Sequence, residues 1–223
     1  MNDEQRFILA AVSRVTGYPA DGFQEELEEI IAAIDSEDAL SGAIRGELTT
    51  ALEQLRRLPL KELQETYVAA FDLKEATGLY LTAHELGDSR DRGSSLILLQ
   101  HIMADAGFET ADGELADYMP ALYELVAAAP DNVHLRALQR RLAVAAQRIA
   151  EHLPKGHPYL PFFVIAIRHV FGVPTEEDVR KLEQSREKTD LADMPYPLLY
   201  GMDGMARSDA GMHAMSPCKG MEV

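Results

Sequence analysis

Leu135, Leu138, Leu142, Ala145 and Ile149 recur three or four residues apart, with Arg136, Gln139, Arg140, Gln147 and Arg148 between them. At 3.6 residues per turn this spacing puts the apolar side chains on one face of a helix; a strand, of period two, would scatter them over both faces. The same signature recurs. Leu60, Leu63, Tyr67, Ala70 and Phe71 form an i, i+3, i+7, i+10, i+11 stripe, and Phe23, Leu27, Ile30, Ile31 and Ile34 lie opposite Glu25, Glu26, Glu28 and Glu29. Leu96, Leu99, Met103 and Ala106 make a further stripe. Strand signals are nearly absent, so the sequence predicts an all-α fold.

Punctuation residues divide the stripes into elements. Asn2 or Asp3 can cap a first helix to about Arg14, with Gly17 and Pro19 as stop signals. A second opens at Asp21, and a third spans Ala39 to Arg57 before Pro59. Gly107 sits where a left-handed C-terminal cap would fall after the Leu96 stripe. Asp117 is expected to cap a short helix carrying Pro120 in its first turn and ended by Pro130. Helices from Asp131 to His152, and from Phe162 to Phe171 through the core, follow, and Thr175 opens a charged helix ending near Lys188. From about Thr189 the periodicity stops. Pro195, Pro197 and Tyr200 suggest an extended strap, and residues 201–223 hold four glycines and five methionines. The expectation is one compact bundle of about eight or nine helices over residues 1–188, with a strap and a disordered C-terminal tail over 189–223.

Charge narrows the function classes. The chain carries 37 acidic against 21 basic side chains, a formal −16, and residues 1–65 alone hold 14 acidic and 6 basic ones. Such a surface repels phosphate backbones and anionic headgroups, which argues against nucleic-acid binding and membrane insertion; its natural partners are basic. The acidic start Met1-Asn2-Asp3-Glu4 is unlike a signal peptide, and no 18-residue apolar run occurs, so a cytoplasmic location is expected. Cys218 is the single cysteine, which rules out a disulfide within the chain.

Catalytic constellations are missing. The sequence has no G-x-x-x-x-G-K-[ST], no strand followed by G-x-G-x-x-G, no H-E-x-x-H and no C-x-x-C. No catalytic residue and no metal site is assigned, and the chain reads as a binding protein. Pro154 and Gly156 interrupt any helix between His152 and His157, and the soft ligands Met202, Met205, Met212, His213, Met215 and Cys218 fall in the presumed tail. Gly87-Asp88-Ser89-Arg90-Asp91-Arg92-Gly93 reads as a structural connection: Asp88 as an N-cap with Asp91 at N3, the glycines for backbone freedom, and Arg90 and Arg92 paired with carboxylates. The alternative is a nucleotide-binding regulatory protein whose Arg90 and Arg92 hold a phosphate.

Three ordered motifs carry a resemblance. Tyr67-Val68-Ala69-Ala70-Phe71-Asp72 is followed by Tyr80-Leu81-Thr82 and the Gly87–Gly93 run, then by Glu114-Leu115-Ala116-Asp117-Tyr118-Met119-Pro120 and Glu124. Their order and gaps resemble the nitrate reductase molybdenum-cofactor assembly chaperones of the NarJ type, although Ala116 stands where that family has proline. The resemblance implies an all-α, cytoplasmic chaperone related to the TorD type. Such a protein would bind the N-terminal segment of the catalytic (alpha) subunit of a respiratory nitrate reductase. It would hold the apo-enzyme for molybdenum-cofactor insertion before membrane attachment, and bind no cofactor stably itself.

A groove among acidic helices could seat a basic amphipathic peptide, anchors buried and charges at the rim. The candidate peptide-binding residues are Tyr67, Phe71, Tyr80, Glu114, Asp117 and Tyr118. Tyr67 and Phe71 lie on a buried stripe and are core residues first, whereas Tyr80 and Tyr118 have the polar tips suited to a groove. Asp117 has a capping duty; Glu114 has none and is free to meet a cation. Asp72, Gly87, Asp88, Arg90, Arg92, Gly93, Pro120 and Glu124 are read as motif or structural residues.

Overall fold

Gln5 donates its backbone N–H to the Asn2 side chain (2.8 Å), and Asn2 returns its own N–H to the Gln5 side chain (3.1 Å). This reciprocal cap opens α1 (Asp3–Val15) where the sequence places it. In the computed structural model, residues 1–110, 113–129 and 133–185 are described, with side chains as far as Lys181. They form α2 (Phe23–Ser36), α3 (Gly42–Arg56), α4 (Leu60–Tyr67), α5 (Leu81–Leu86), α6 (Asp91–Asp105), α7 (Met119–Ala128), α8 (Val133–His152), α9 (Leu160–Ile165) and α10 (Glu176–Ser185). The expected strap and tail over 189–223, and the methionine-rich ligand set in it, lie outside the described residues.

The stripes face inward as their spacing requires. Leu135, Leu138, Leu142, Ala145 and Ile149 of α8 are at most 1% exposed. They meet the second apolar layer, Phe162 and Phe163 of α9, which the sequence sends through the core. α1 packs lengthwise on α7, α2 on α3, and α10 on α5 and α8. Burying a leucine or phenylalanine contributes roughly 1.5–3 kcal/mol, so these layers supply most of the force that closes the bundle.

Helix ends are closed by long-range polar contacts that the pattern does not reveal. Arg6 of α1 donates to the carbonyls of Ala127 (2.6 Å) and Ala129 (3.0 Å), carbonyls that α7 leaves without intrahelical partners. Arg45 does the same for α2, donating to Ile34 and to Glu37 (2.7 Å). Gly107 adopts φ +80° after α6, and the bonds from Phe108 N–H to Met103 O (2.9 Å) and Gly107 N–H to Ala104 O (2.9 Å) complete the expected cap. Thr175 and Asp178 cap α10 reciprocally.

Several features depart from the sequence reading. α5 is an additional short helix, too brief to show periodicity. α4 and α9 each run on into a π-helical segment, Val68–Asp72 and Ala166–Phe171, closed by i to i+5 bonds from Leu73 to Val68 (3.2 Å) and from Gly172 to Ile167 (2.8 Å). The wider turn keeps Ala70 and Phe71 both in the core while Asp72 reaches solvent. Asp88 is not an N-cap: α6 opens at Asp91, whose N–H reaches Ser89 Oγ (3.3 Å), and Asp88 is exposed. Asp117 does not cap α7 either. Its carboxylate turns away to the start of α5, and Pro120 alone supplies the expected first-turn signal of α7.

Candidate functional site: a tyrosine-lined acidic groove

Two segments far apart in sequence are zipped together by one antiparallel bridge, Tyr80 to Tyr118. Leu81 donates its N–H to Asp117 O (2.9 Å) and Met119 donates to Leu79 O (2.8 Å). The bridge sets Tyr80 and Tyr118 side by side, with ring centroids 5.7 Å apart.

From there the aromatic contacts run inward. The hydroxyls of Tyr118 and Tyr67 are 3.0 Å apart, and Tyr67 also donates to Thr16 O (3.3 Å). Tyr67 stacks edge-on against Tyr18 (5.4 Å) and Phe71 (4.9 Å); Phe71 in turn meets Tyr159 (5.4 Å) and Phe163 (6.0 Å). Each such pair adds about 0.5–1.5 kcal/mol beyond area burial and fixes ring orientation. The floor is therefore held in place by ring packing, with Tyr67 buried and Tyr80 and Tyr118 half-buried above it.

Carboxylates rim this floor. Tyr80 donates its hydroxyl to Glu114 (3.2 Å), and Asp72 opens to solvent at the end of the π-helical segment. Burial, with the Glu114 carboxylate second, pushes the Tyr80 phenol up to about 12. Burial is also the first cause of the raised values of Tyr67 and Tyr118, with Asp72 and Glu114 among the further causes at Tyr118. All three remain neutral hydrogen-bonding groups at physiological pH.

Tyr18, Tyr67, Asp72, Tyr80, Glu114 and Tyr118 line an open pocket of about 150 Å³. It adjoins a broader cleft of about 590 Å³, which shares Glu114 and Tyr118 and extends past Arg14, Pro120 and Glu124. Together they make a groove crossing from the π-helical segment to α7. Tyr18 at 50% exposure leaves apolar surface along it.

The candidate residues thus separate into three groups. Tyr67, Tyr80, Glu114 and Tyr118 converge on the groove, joined by Asp72, Pro120 and Glu124, to which the sequence assigns motif or structural roles. Phe71 and Asp117 are buried and support the groove from below. Gly87, Asp88, Arg90 and Gly93 line neither pocket. Gly87, at φ +56°, turns the chain after α5, and Arg90 and Gly93 are exposed. Arg92 is turned inward to Asp117 and Thr82, so its guanidinium is already committed and the loop does not offer the paired arginines a phosphate would need. Tyr18 carries no motif and was missed; only its place four residues after Arg14, beyond the first helix, hints at a groove position.

No group of three or more His, Cys, Asp or Glu side chains among the described residues is arranged to hold a metal. His152 bonds to Arg148 O (2.8 Å) while His157 lies against Phe71 and Tyr159, so each has a separate structural partner. No helix among the described residues is long and apolar enough to cross a membrane.

Comparisons with known proteins point one way. The sequence model of the nitrate reductase delta subunit family matches residues 21–164, which include every groove residue named except Arg14 and Tyr18. The chain is 32% identical over 130 residues to a probable nitrate reductase molybdenum cofactor assembly chaperone NarJ of Bacillus subtilis (strain 168), a match covering 58% of this chain and 70% of that protein. It is 29% identical over 160 residues to the molybdenum cofactor assembly chaperone NarJ of Escherichia coli (strain K12), covering 72% and 68%. A probable chaperone of the same description, NarW of Escherichia coli (strain K12), is 24% identical over 183 residues, covering 82% and 76%.

Proposed function

The chain belongs to the nitrate reductase delta subunit family, and on that footing we propose that it is a molybdenum-cofactor assembly chaperone for a nitrate reductase. It is a binding protein without turnover. Its ligand is the N-terminal segment of the reductase catalytic subunit, taken up in the groove between the π-helical segment and α7. By holding that segment in the cytoplasm, it keeps the apo-enzyme open for cofactor insertion and delays membrane attachment. It assists insertion without retaining the cofactor.

The observation that carries this reading is the convergence of three separate motifs on one acidic, tyrosine-lined groove. Rigid rings with polar tips bind amphipathic helices well, because they lose little entropy on contact and accept both apolar and polar neighbours. Rim carboxylates steer a basic peptide to the site and chiefly raise its association rate, while buried anchors set how long it stays. Calorimetry with a synthetic peptide from the N-terminus of a respiratory nitrate reductase catalytic subunit tests it. Saturable one-to-one binding that weakens in Tyr80→Ala and Tyr118→Ala is expected; absence of binding by the wild-type chain would remove the mechanism.

A further inference from the structure

Resting on that reading, we propose that the pocket enclosed by Tyr18, Tyr67, Tyr80, Tyr118, Asp72 and Glu114 is a cage for one positively charged side chain of the client segment. Four phenol rings and two carboxylates around about 150 Å³ match a single ammonium or guanidinium group better than a large apolar anchor. Apolar anchors bind where carbon lines the wall. Among the described residues Leu79 is the one aliphatic side chain in the lining, and it is 2% exposed, so the rest of the wall is phenol rings and carboxylates.

The chemistry of each wall fits a cation. Aromatic faces carry negative quadrupole density and attract organic cations, more strongly as water is excluded. Tyr80 and Tyr118 pack with centroids 5.7 Å apart and inclined by 44°, and Tyr18 meets Tyr67 at right angles, so ring faces and edges at several angles line the pocket. The carboxylates differ in their present engagement. Glu114 Oε1 accepts from Tyr80 and from the backbone of Leu115, which fixes its direction. Asp72 has no hydrogen-bond or ion-pair partner among the described residues. An exposed carboxylate left unpaired at the lip of an aromatic pocket is the group that an incoming cation would complete.

The cage also explains the π-helical turn. Phe71 must stay in the core against Tyr159 and Phe163, yet the next residue must reach the pocket. The widened turn satisfies both, placing Asp72 at the mouth while Phe71 remains 4% exposed. π-turns within α-helices often mark functional positions for this reason.

The test is a mutant cycle on the full chain. The reductase N-terminal peptide is prepared with each Lys or Arg replaced in turn by Gln, and each version is titrated calorimetrically against wild type, Asp72→Asn and Glu114→Gln. One basic position is expected to lose roughly tenfold in affinity with the wild type and to lose no more with Asp72→Asn. Additive losses at every basic position, with the peptide still bound, would overturn the cage and leave the chaperone reading intact. Should the unmodified peptide not bind, the chaperone reading fails by itself. The cage is then tested with arginine amide and lysine amide by the shifts of the tyrosine ring resonances. Shifts that vanish in Asp72→Asn support the cage and their relative size identifies the favoured cation; no shift with either probe overturns it. Asp72 is exposed, and equal melting temperatures of wild type and Asp72→Asn ensure that any loss is one of recognition.

Discussion

The guanidinium of Arg92 lies 3.5 Å from the carboxylate of Asp117, a side chain with no exposed surface, and its Nε donates to Thr82 Oγ1 at 3.0 Å. Thr82 also donates both its N–H (3.2 Å) and its hydroxyl to the same Asp117 oxygen. One buried carboxylate thereby ties together the start of α5, the start of α6 and the strand-like segment carrying Tyr118. Two of the sequence motifs, the one with Arg92 and the one with Asp117, are opposite ends of this single latch.

Arg92→Ala should therefore destabilise the fold by about 1–3 kcal/mol, since it takes a charged partner from a buried carboxylate. Arg92→Lys should recover only part, because an ammonium cannot contact Asp117 and Thr82 through the same fork. Denaturant unfolding measures both; an unchanged midpoint for Arg92→Ala would show that the latch contributes nothing.

Peptide affinity should fall as salt rises. Exposed charges are screened over about 8–10 Å at ordinary ionic strength, so the rim carboxylates lose their reach while the buried rings do not. Titrations between low and high sodium chloride should show slower association with little change in dissociation. Affinity independent of salt would mean that the acidic rim plays no part.

Stability should decline in mild acid through His157. Burial first, and then the charge of Lys74, hold its folded value below the ordinary 6.5. The unfolded chain therefore takes up a proton that the folded chain resists, so this contribution is complete above 6.5 and is lost as pH falls toward the depressed folded value. Melting curves from pH 7.5 to 5 should converge for wild type and His157→Gln at the acid end. Parallel curves would remove His157 from the account.

Tyr123 offers a stabilising change. It is fully buried against Phe171, and its hydroxyl has no hydrogen-bond partner among the described residues. Tyr123→Phe removes an unsatisfied polar atom while keeping the ring, and should raise stability by about 1 kcal/mol, read from the denaturation midpoint.

Much of this architecture is written in single-residue chemistry. The apolar stripe of α8, the Asn2 cap, the Gly107 turn and the Thr175 cap are local rules, and the structure follows them. Tyr67, Tyr80 and Tyr118, singled out by the motifs that carry the resemblance, line one pocket, although Tyr67 reads from its stripe as a core residue first. What escaped notice depends on tertiary contact. Asp117 looked like a local cap because Asp two residues before a helix usually is one, whereas its partners Thr82 and Arg92 lie 35 and 25 positions away. The π-turn at Val68–Asp72 conforms to the same apolar spacing as an α-helix, and Tyr18 becomes a groove residue only because Tyr67 packs against it.

The contacts of Phe71 with Tyr159 and Phe163 also set a schedule. During synthesis all three motifs emerge from the ribosome well before α9, yet the rings that brace the groove floor from beneath come only with that helix. Long-range contacts of this kind form late, after the entropy of closing the intervening chain has been overcome. A half-made copy would display the recognition residues without the support that orients them. On the proposed reading, capture of a client would be deferred until the chain's own folding is nearly finished, and unfinished copies would be kept from competing for it.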